Sequence, residues 1–331
     1  MESALLVTVV LAAVVFAWTN GFHDAANSVA TSLATGALTP RIALGLAAVL
    51  NVIGSLFGVA VAQTLRRSLF DVLPVNQPAA GLVLAALLAA IGWNLLTWWW
   101  GMPSSSSHAL VGGMAGAGIV AGVSVHWDVM WARVLVPTLL SPVAGFLGAW
   151  LLVVLLLRST WDAEHGPTLR RFRLAQTVSA SAVALGHGLQ DAQKSVAVVT
   201  IALVSSGRVG PTSADPIWVR VAIALALGLG TAFGGWRVIR TVARRIAPID
   251  PVLGFAAELT TAGALYVASG VLGAPVSSSV MIVASVTGAG STRGLRSIHW
   301  RVVRRIAAVF LMTPVAAAAV AGILYGLGSR I

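Results

Sequence analysis

Asn20-Gly21-Phe22-His23-Asp24-Ala25-Ala26-Asn27-Ser28 lies in the middle of an apolar stretch running from Ala4 to Gly36, and its reading decides the fold. An ionised aspartate is costly in hydrocarbon, so one placed there faces a protein interior or an aqueous cavity. The rest of the chain settles whether the surrounding stretch is a membrane span. Of 331 residues, 58% are hydrophobic and only 9% are charged, against about 25% charged in a soluble domain. Apolar runs of roughly 20 residues recur from end to end, each long enough to cross ~30 Å of hydrocarbon. The ~10-residue alternating segments of a membrane β-barrel are absent. The class read is an all-α polytopic membrane helix bundle.

Ten passes are expected. The first five are Ala4–Gly36 (interrupted at Asn20–Asn27), Ile42–Thr64, Ala79–Trp100, His108–Val123 and Trp131–Leu157. The second five are Leu174–Ser205 (interrupted at His187–Lys194), Ile217–Trp236, Val252–Leu272, Val280–Gly290 and Ile306–Leu327. Pro137, Pro142 and Pro314 fall inside spans, where kinks are expected. The long polar connector Arg158–Arg173 divides the chain into 1–157, a cytoplasmic linker 158–173, and 174–331. Ala4–Thr19 has no basic residue before it and reads as mature protein rather than a signal peptide. The absence of cysteine removes disulfides and thiol chemistry.

The halves repeat. Gly21–Ser28 matches Gly188-Leu189-Gln190-Asp191-Ala192-Gln193-Lys194-Ser195 at an offset of 167. Pro103-Ser104-Ser105-Ser106-Ser107 matches Pro275-Val276-Ser277-Ser278-Ser279 at 172, and Ser124–Trp127 matches Ser297–Trp300 at 173. Three matches in one order at nearly constant offset indicate duplication. Equivalent loops differ in arginine content: Arg66 and Arg67 compare with Arg237, Arg240, Arg244 and Arg245, and Arg133 with the five arginines from Arg293 to Arg305. Loops so unequal are expected on opposite faces, the richer ones in the cytoplasm. That orientation puts 14 of the 20 arginines inside and both termini outside, so an inverted-topology repeat in the cytoplasmic (inner) membrane is expected. It also accounts for the net charge of +11 without nucleic acid.

Three sets of residues carry the chemistry. Asp24 and Asp191 stand one per half, and Asn20-Gly21 and Gly186–Gly188 are expected to let their helices unwind and free backbone groups for an ion. The serine rows Ser104–Ser107 and Ser277–Ser279 precede apolar runs too short for a full pass, so re-entrant hairpins with serine-lined tips are expected. Hydroxyls and N–H groups at a helix N-terminus bind an oxyanion without a fixed positive charge, whereas N-capping accounts for one serine per row. Last come His23, His108, His187, Lys194 and Glu258. Lys194, three residues after Asp191, is expected to form a local ion pair or to attract an anion. The histidines are candidate proton relays. The cluster Trp98-Trp99-Trp100 reads as an interface belt.

At these residues the chain resembles the inorganic phosphate transporter (PiT) family, the low-affinity phosphate permeases. Gly21–Asn27 and His187–Lys194 look like its duplicated aspartate element, with Gln190 where Asn is usual. Pro103–His108 and Pro275–Ser279 look like its hairpin tips, with serines for threonines and Val280 where His is usual. The resemblance implies import of phosphate in symport with H+ or Na+, alone or as a metal–phosphate complex, with no other cofactor. Carried over by position, Ser105, Ser106, Ser107, Ser277, Ser278, Ser279, Asn27 and Gln190 would hold substrate. Asp24, Asp191, His23 and Glu258 would couple the ion, with Asp24 and Asp191 the metal ligands if it is sodium. The partners expected are phosphate and the lipid bilayer, with a homodimer left open. A sulfate or other oxyanion permease of the same fold is the alternative; a carboxylate touching the anion favours phosphate, which can donate a hydrogen bond when partly protonated. An intramembrane aspartic hydrolase built on Asp24 and Asp191 is a remote one.

Overall fold

The computed structural model describes residues 2–57, 79–123, 127–132, 136–162, 164–210, 213–273 and 276–329. Arg66, Arg67, Ser124–His126, Arg133, Pro275 and the end of the second expected span lie outside them. The described residues are helical, without strands. In chain order the helices are α1 (Glu2–Ala34), α2 (Pro40–Phe57), α3 (Ala79–Trp100), α4 (Ser106–Val120), α5 (Trp127–Met130), α6 (Val136–Ser159), α7 (His165–Ser205), α8 (Ile217–Phe233), α9 (Trp236–Arg244), α10 (Pro251–Tyr266), α11 (Ser278–Ser291) and α12 (Trp300–Gly328). α10 runs on as a π-helical turn, Val267–Leu272. The helices α1, α2, α3, α6, α10 with its π-turn and α12 are each long and apolar enough to cross a membrane. α8 and α9 pass the same test together, although bent by 66° at their junction. Large apolar residues such as Leu11, Leu147, Leu151, Leu311 and Val315 face outward, as a lipid solvent requires.

Two expectations are corrected here. α1 and α7 do not unwind at their polar clusters. They are continuous helices of 33 and 41 residues. The glycines serve another purpose, the close approach of a second helix. A Cβ on Gly21 would stand 2.0 Å from the Leu227 carbonyl oxygen, and one on Gly230 2.0 Å from that of Trp18, so α1 and α8 touch backbone to backbone. Gly54 and Gly188 do the same for α2 and α7, against the carbonyls of Leu185 and Asn51. Small residues let membrane helices pack by contact where no hydrophobic force draws them together. The break occurs instead at Gly234-Gly235, between α8 and α9, where Gly234 takes φ 64°. The second correction concerns Pro137, which stands in the first turn of α6, where its missing N–H costs nothing; Pro142 and Pro314 are helix-internal as expected. The polar connector is also largely helical: α6 extends to Ser159 and α7 begins at His165.

The packing partners correspond between the halves. α1 lies against α3 and α8, and α7 lies against α10 and α2. α4 packs on α12, and α11 packs on α6, so each short serine-headed helix is covered by the last helix of the opposite half. Glycines again set the contact: a Cβ on Gly112 or Gly116 would meet the carbonyls of Pro314 or Ala318, and one on Gly288 that of Phe146. Two apolar cores result. One gathers the first half of α1 with α3, α4 and the second half of α7; the other gathers the second half of α1 with α2, α9, α10 and α11. The polar residues of α1 and α7 fall between the two.

Candidate functional site

Between the cores, α1, α7 and the start of α11 converge. Asn27 is the hub. Its amide donates to Ser278 Oγ (3.2 Å) and Ser279 Oγ (2.9 Å). Ser278 donates in turn to Asp191 Oδ2 (3.3 Å), and Ser279 to Asp24 Oδ1 (3.0 Å). One amide therefore orients two hydroxyls, and each hydroxyl addresses one of the two aspartates. All five side chains are buried. Ser277, the first of its row, caps α11 by accepting from the Val280 N–H, as Ser105 caps α4 by accepting from the His108 N–H. Capping thus uses one serine per row and leaves the others for other partners.

Each aspartate has its own histidine. His23 Nδ1 lies 2.8 Å from Asp24 Oδ1, and its Nε2 lies 3.1 Å from Thr97 Oγ1, which contacts Ser104 at 2.9 Å. His187 Nε2 lies 2.5 Å from Asp191 Oδ2 and 3.8 Å from Asp24 Oδ2. Its Nδ1 faces Asn51 Oδ1 at 3.1 Å, while the Asn51 amide donates to Thr231 Oγ1 at 2.8 Å. With the amide assigned by that network, Nδ1 carries a proton. On the other side of the ring, Nε2 faces the Asp191 and Asp24 carboxylates without hydrogen-bond geometry to any described residue. One ligand atom from each of Asp24, His187 and Asp191 lies within 4.8 Å of the other two, a grouping able to hold a cation. Lys194 pairs with Asp191 Oδ1, which fulfils the ion-pair expectation.

Of the residues named from sequence, the structure brings together Asp24, Asp191, His23, His187, Lys194, Asn27, Ser278 and Ser279. Ser105, Ser106 and Ser107 are buried at the head of α4, and Ser107 Oγ has no hydrogen-bond partner among the described residues. Gln190 is buried on the α7 turn that carries Asp191. Glu258 stands apart, in a second polar cluster. Its Oε1 accepts from Thr31 (2.5 Å), Ser32 (2.6 Å) and Gln176 (3.4 Å), and its Oε2 from Ser179 (2.5 Å). Asn51, Thr97 and Thr231 were not singled out from sequence. Asn51 alone had a signal, as a single amide inside an apolar span. Asn20 and Asn94, on α1 and α3, are buried with both side-chain amide atoms unpartnered among the described residues, so further buried donors are available. An aspartic dyad needs two carboxylates sharing one proton; here the His187 ring reaches toward both and Lys194 occupies one of them.

Residues 20–321 match the model of the phosphate transporter family. A probable low-affinity inorganic phosphate transporter of Mycobacterium tuberculosis (strain ATCC 25618 / H37Rv) is 43% identical over 334 residues, covering 99% of this chain and 78% of the relative. One of Bacillus subtilis (strain 168) is 37% identical, covering 97% and 96%. A solved structure described as the sodium-dependent phosphate transporter superposes with a TM-score of 0.89 at 25% identity, covering 99% of this chain and all of that one. These relatives are transporters, not enzymes.

Proposed function

The chain belongs to the phosphate transporter family, and on that premise we propose that it imports inorganic phosphate in symport with a cation, H+ or Na+, by alternating access. The observation that carries this reading is the Asn27 fork, which ties two hydroxyl donors and two aspartates from separate helices to one amide. Hydroxyls at the head of a short helix suit an oxyanion. Carboxylates beside it draw a cation, and neither ion is then buried alone. In this reading Ser105–Ser107 and Ser277–Ser279 hold phosphate from the two sides, with Asn27 and Gln190 completing the contact. Asp24 and Asp191 bind the coupling cation. His23 and His187 are where a proton would ride, or Asp24 and Asp191 would ligate sodium. Glu258, in its hydroxyl-lined cluster, is a second place for that cation. The matching helix partners of the two halves support an inverted repeat, in which the halves rock around a site between the two cores. The basic loops then lie in the cytoplasm, and both termini outside.

The test is uptake of labelled phosphate into proteoliposomes under a sodium gradient or a pH gradient applied separately, with excess unlabelled sulfate. Uptake driven by one gradient and indifferent to sulfate is expected. Uptake blocked by sulfate would move the chain to a sulfate permease. A second prediction concerns the serines. A hydrogen bond to a charged group is worth about 1.5–3 kcal/mol, so Ser106→Ala with Ser278→Ala should weaken apparent phosphate affinity roughly ten- to a hundredfold per serine. An unchanged half-saturation concentration would exclude the hairpin tips as the anion site.

A further inference from the structure

Positions 27 and 194 correspond in the duplicated motif, yet one is an amide and the other an ammonium. Asn27 turns to Ser278 and Ser279 and leaves Asp24 without a fixed positive charge. Lys194, only 2% exposed, pairs directly with Asp191. The two carboxylates are otherwise alike: each has a serine from α11 and a histidine from its own helix. Two bare buried aspartates would need two mobile cations to approach neutrality, since an uncompensated charge in such surroundings is expensive. The Lys194 ammonium supplies one of them permanently. Being tethered, it can neither dissociate nor be carried across.

From this asymmetry we infer that Lys194 is a resident cation that replaces one coupling ion at Asp191, so that each phosphate travels with one cation fewer than two bare aspartates would demand. The remaining mobile positive charge belongs at the face shared by Asp24 and His187, whose Oδ2 and Nε2 are 3.8 Å apart. This inference rests on the symport reading above and fixes a quantity that reading leaves open. A competing role for Lys194, direct contact with phosphate through its other two N–H donors, makes a different prediction.

The experiment measures labelled phosphate uptake and coupled cation flux together in proteoliposomes holding the purified full chain. Its readout is the number of cations moved per phosphate. In Lys194→Asn, which copies the first half, that number should rise by one, and the dependence of uptake on cation concentration should steepen. In Asp191→Asn/Lys194→Asn, which removes both charges, the number should match the wild type even if uptake is slower. That double variant also serves if bare Asp191 prevents Lys194→Asn from folding. An unchanged ratio in active Lys194→Asn, or a shifted ratio in the double variant, overturns the inference. Loss of uptake in both variants, each folded and monodisperse, also overturns it. Wild-type uptake with no coupled cation would remove the symport reading itself and this inference with it.

Discussion

Asp24→Asn should bring coupled phosphate uptake down by two to three orders of magnitude while leaving a folded, monodisperse protein. The amide keeps the size of the carboxylate, and its oxygen can still accept from Ser279, so the fork from Asn27 survives in outline. What is lost is the charge. Asp24 is the aspartate without a fixed cation, and its Oδ2 faces His187 Nε2 at 3.8 Å. Truncating one partner of a buried charge pair in a binding site costs about 2–5 kcal/mol of affinity, and every 1.4 kcal/mol is about a tenfold change. Uptake assays in proteoliposomes, with size-exclusion and thermal unfolding as folding controls, read this directly. Normal gradient-driven uptake by the variant would remove Asp24 from the mechanism.

The second large effect is on stability. Gly188→Ala would place a Cβ 2.3 Å from the Asn51 carbonyl oxygen, and Gly230→Ala would place one 2.0 Å from that of Trp18. Both obstacles are backbone, which cannot rotate aside as a side chain can. The helices must separate instead, and overpacking of a tight contact costs about 1–3 kcal/mol or more. The two contacts belong to different helix pairs but are joined through the Asn51–Thr231 hydrogen bond, so the double variant should depart from the sum of the single effects. Gly263→Ala is the control. It lies within α10 and a Cβ there meets nothing within 4 Å, so the gain in helix propensity, close to 1 kcal/mol, should raise the unfolding temperature. A Gly188→Ala protein that melts with the wild type would show that the close approach is not required. Gly188→Ala should also disturb the site, because the same contact holds Asn51 against His187.

The aspartates and serine rows were legible because polar groups inside apolar runs have few explanations. Their pairing was not. Nothing in the order of residues says that Asn27 reaches two serines more than 250 positions away. The glycines were misread for a physical reason: a glycine that permits a helix to break and one that permits a neighbour to approach look identical in sequence. The distinction lies in the opposing surface, here the carbonyls of Leu227 and Asn51. The break at Gly234-Gly235 lies inside the stretch Ile217–Trp236, which reads as one uninterrupted pass. Glu258 was read as part of one site because its role came from motif order, whereas its four donors come from α1 and α7.

The crossed covering of the two short helices has a consequence for how the protein is made. α4 emerges from the ribosome early, but its cover, α12, is synthesised only after α11. Until Trp300–Gly328 is made, Gly112 and Gly116 lack the Pro314 and Ala318 backbone they pack against in the folded chain. The first half is therefore expected to wait, partly assembled, for this 29-residue helix, and a stop codon ahead of it should leave an incomplete bundle open to membrane proteases rather than a weaker carrier.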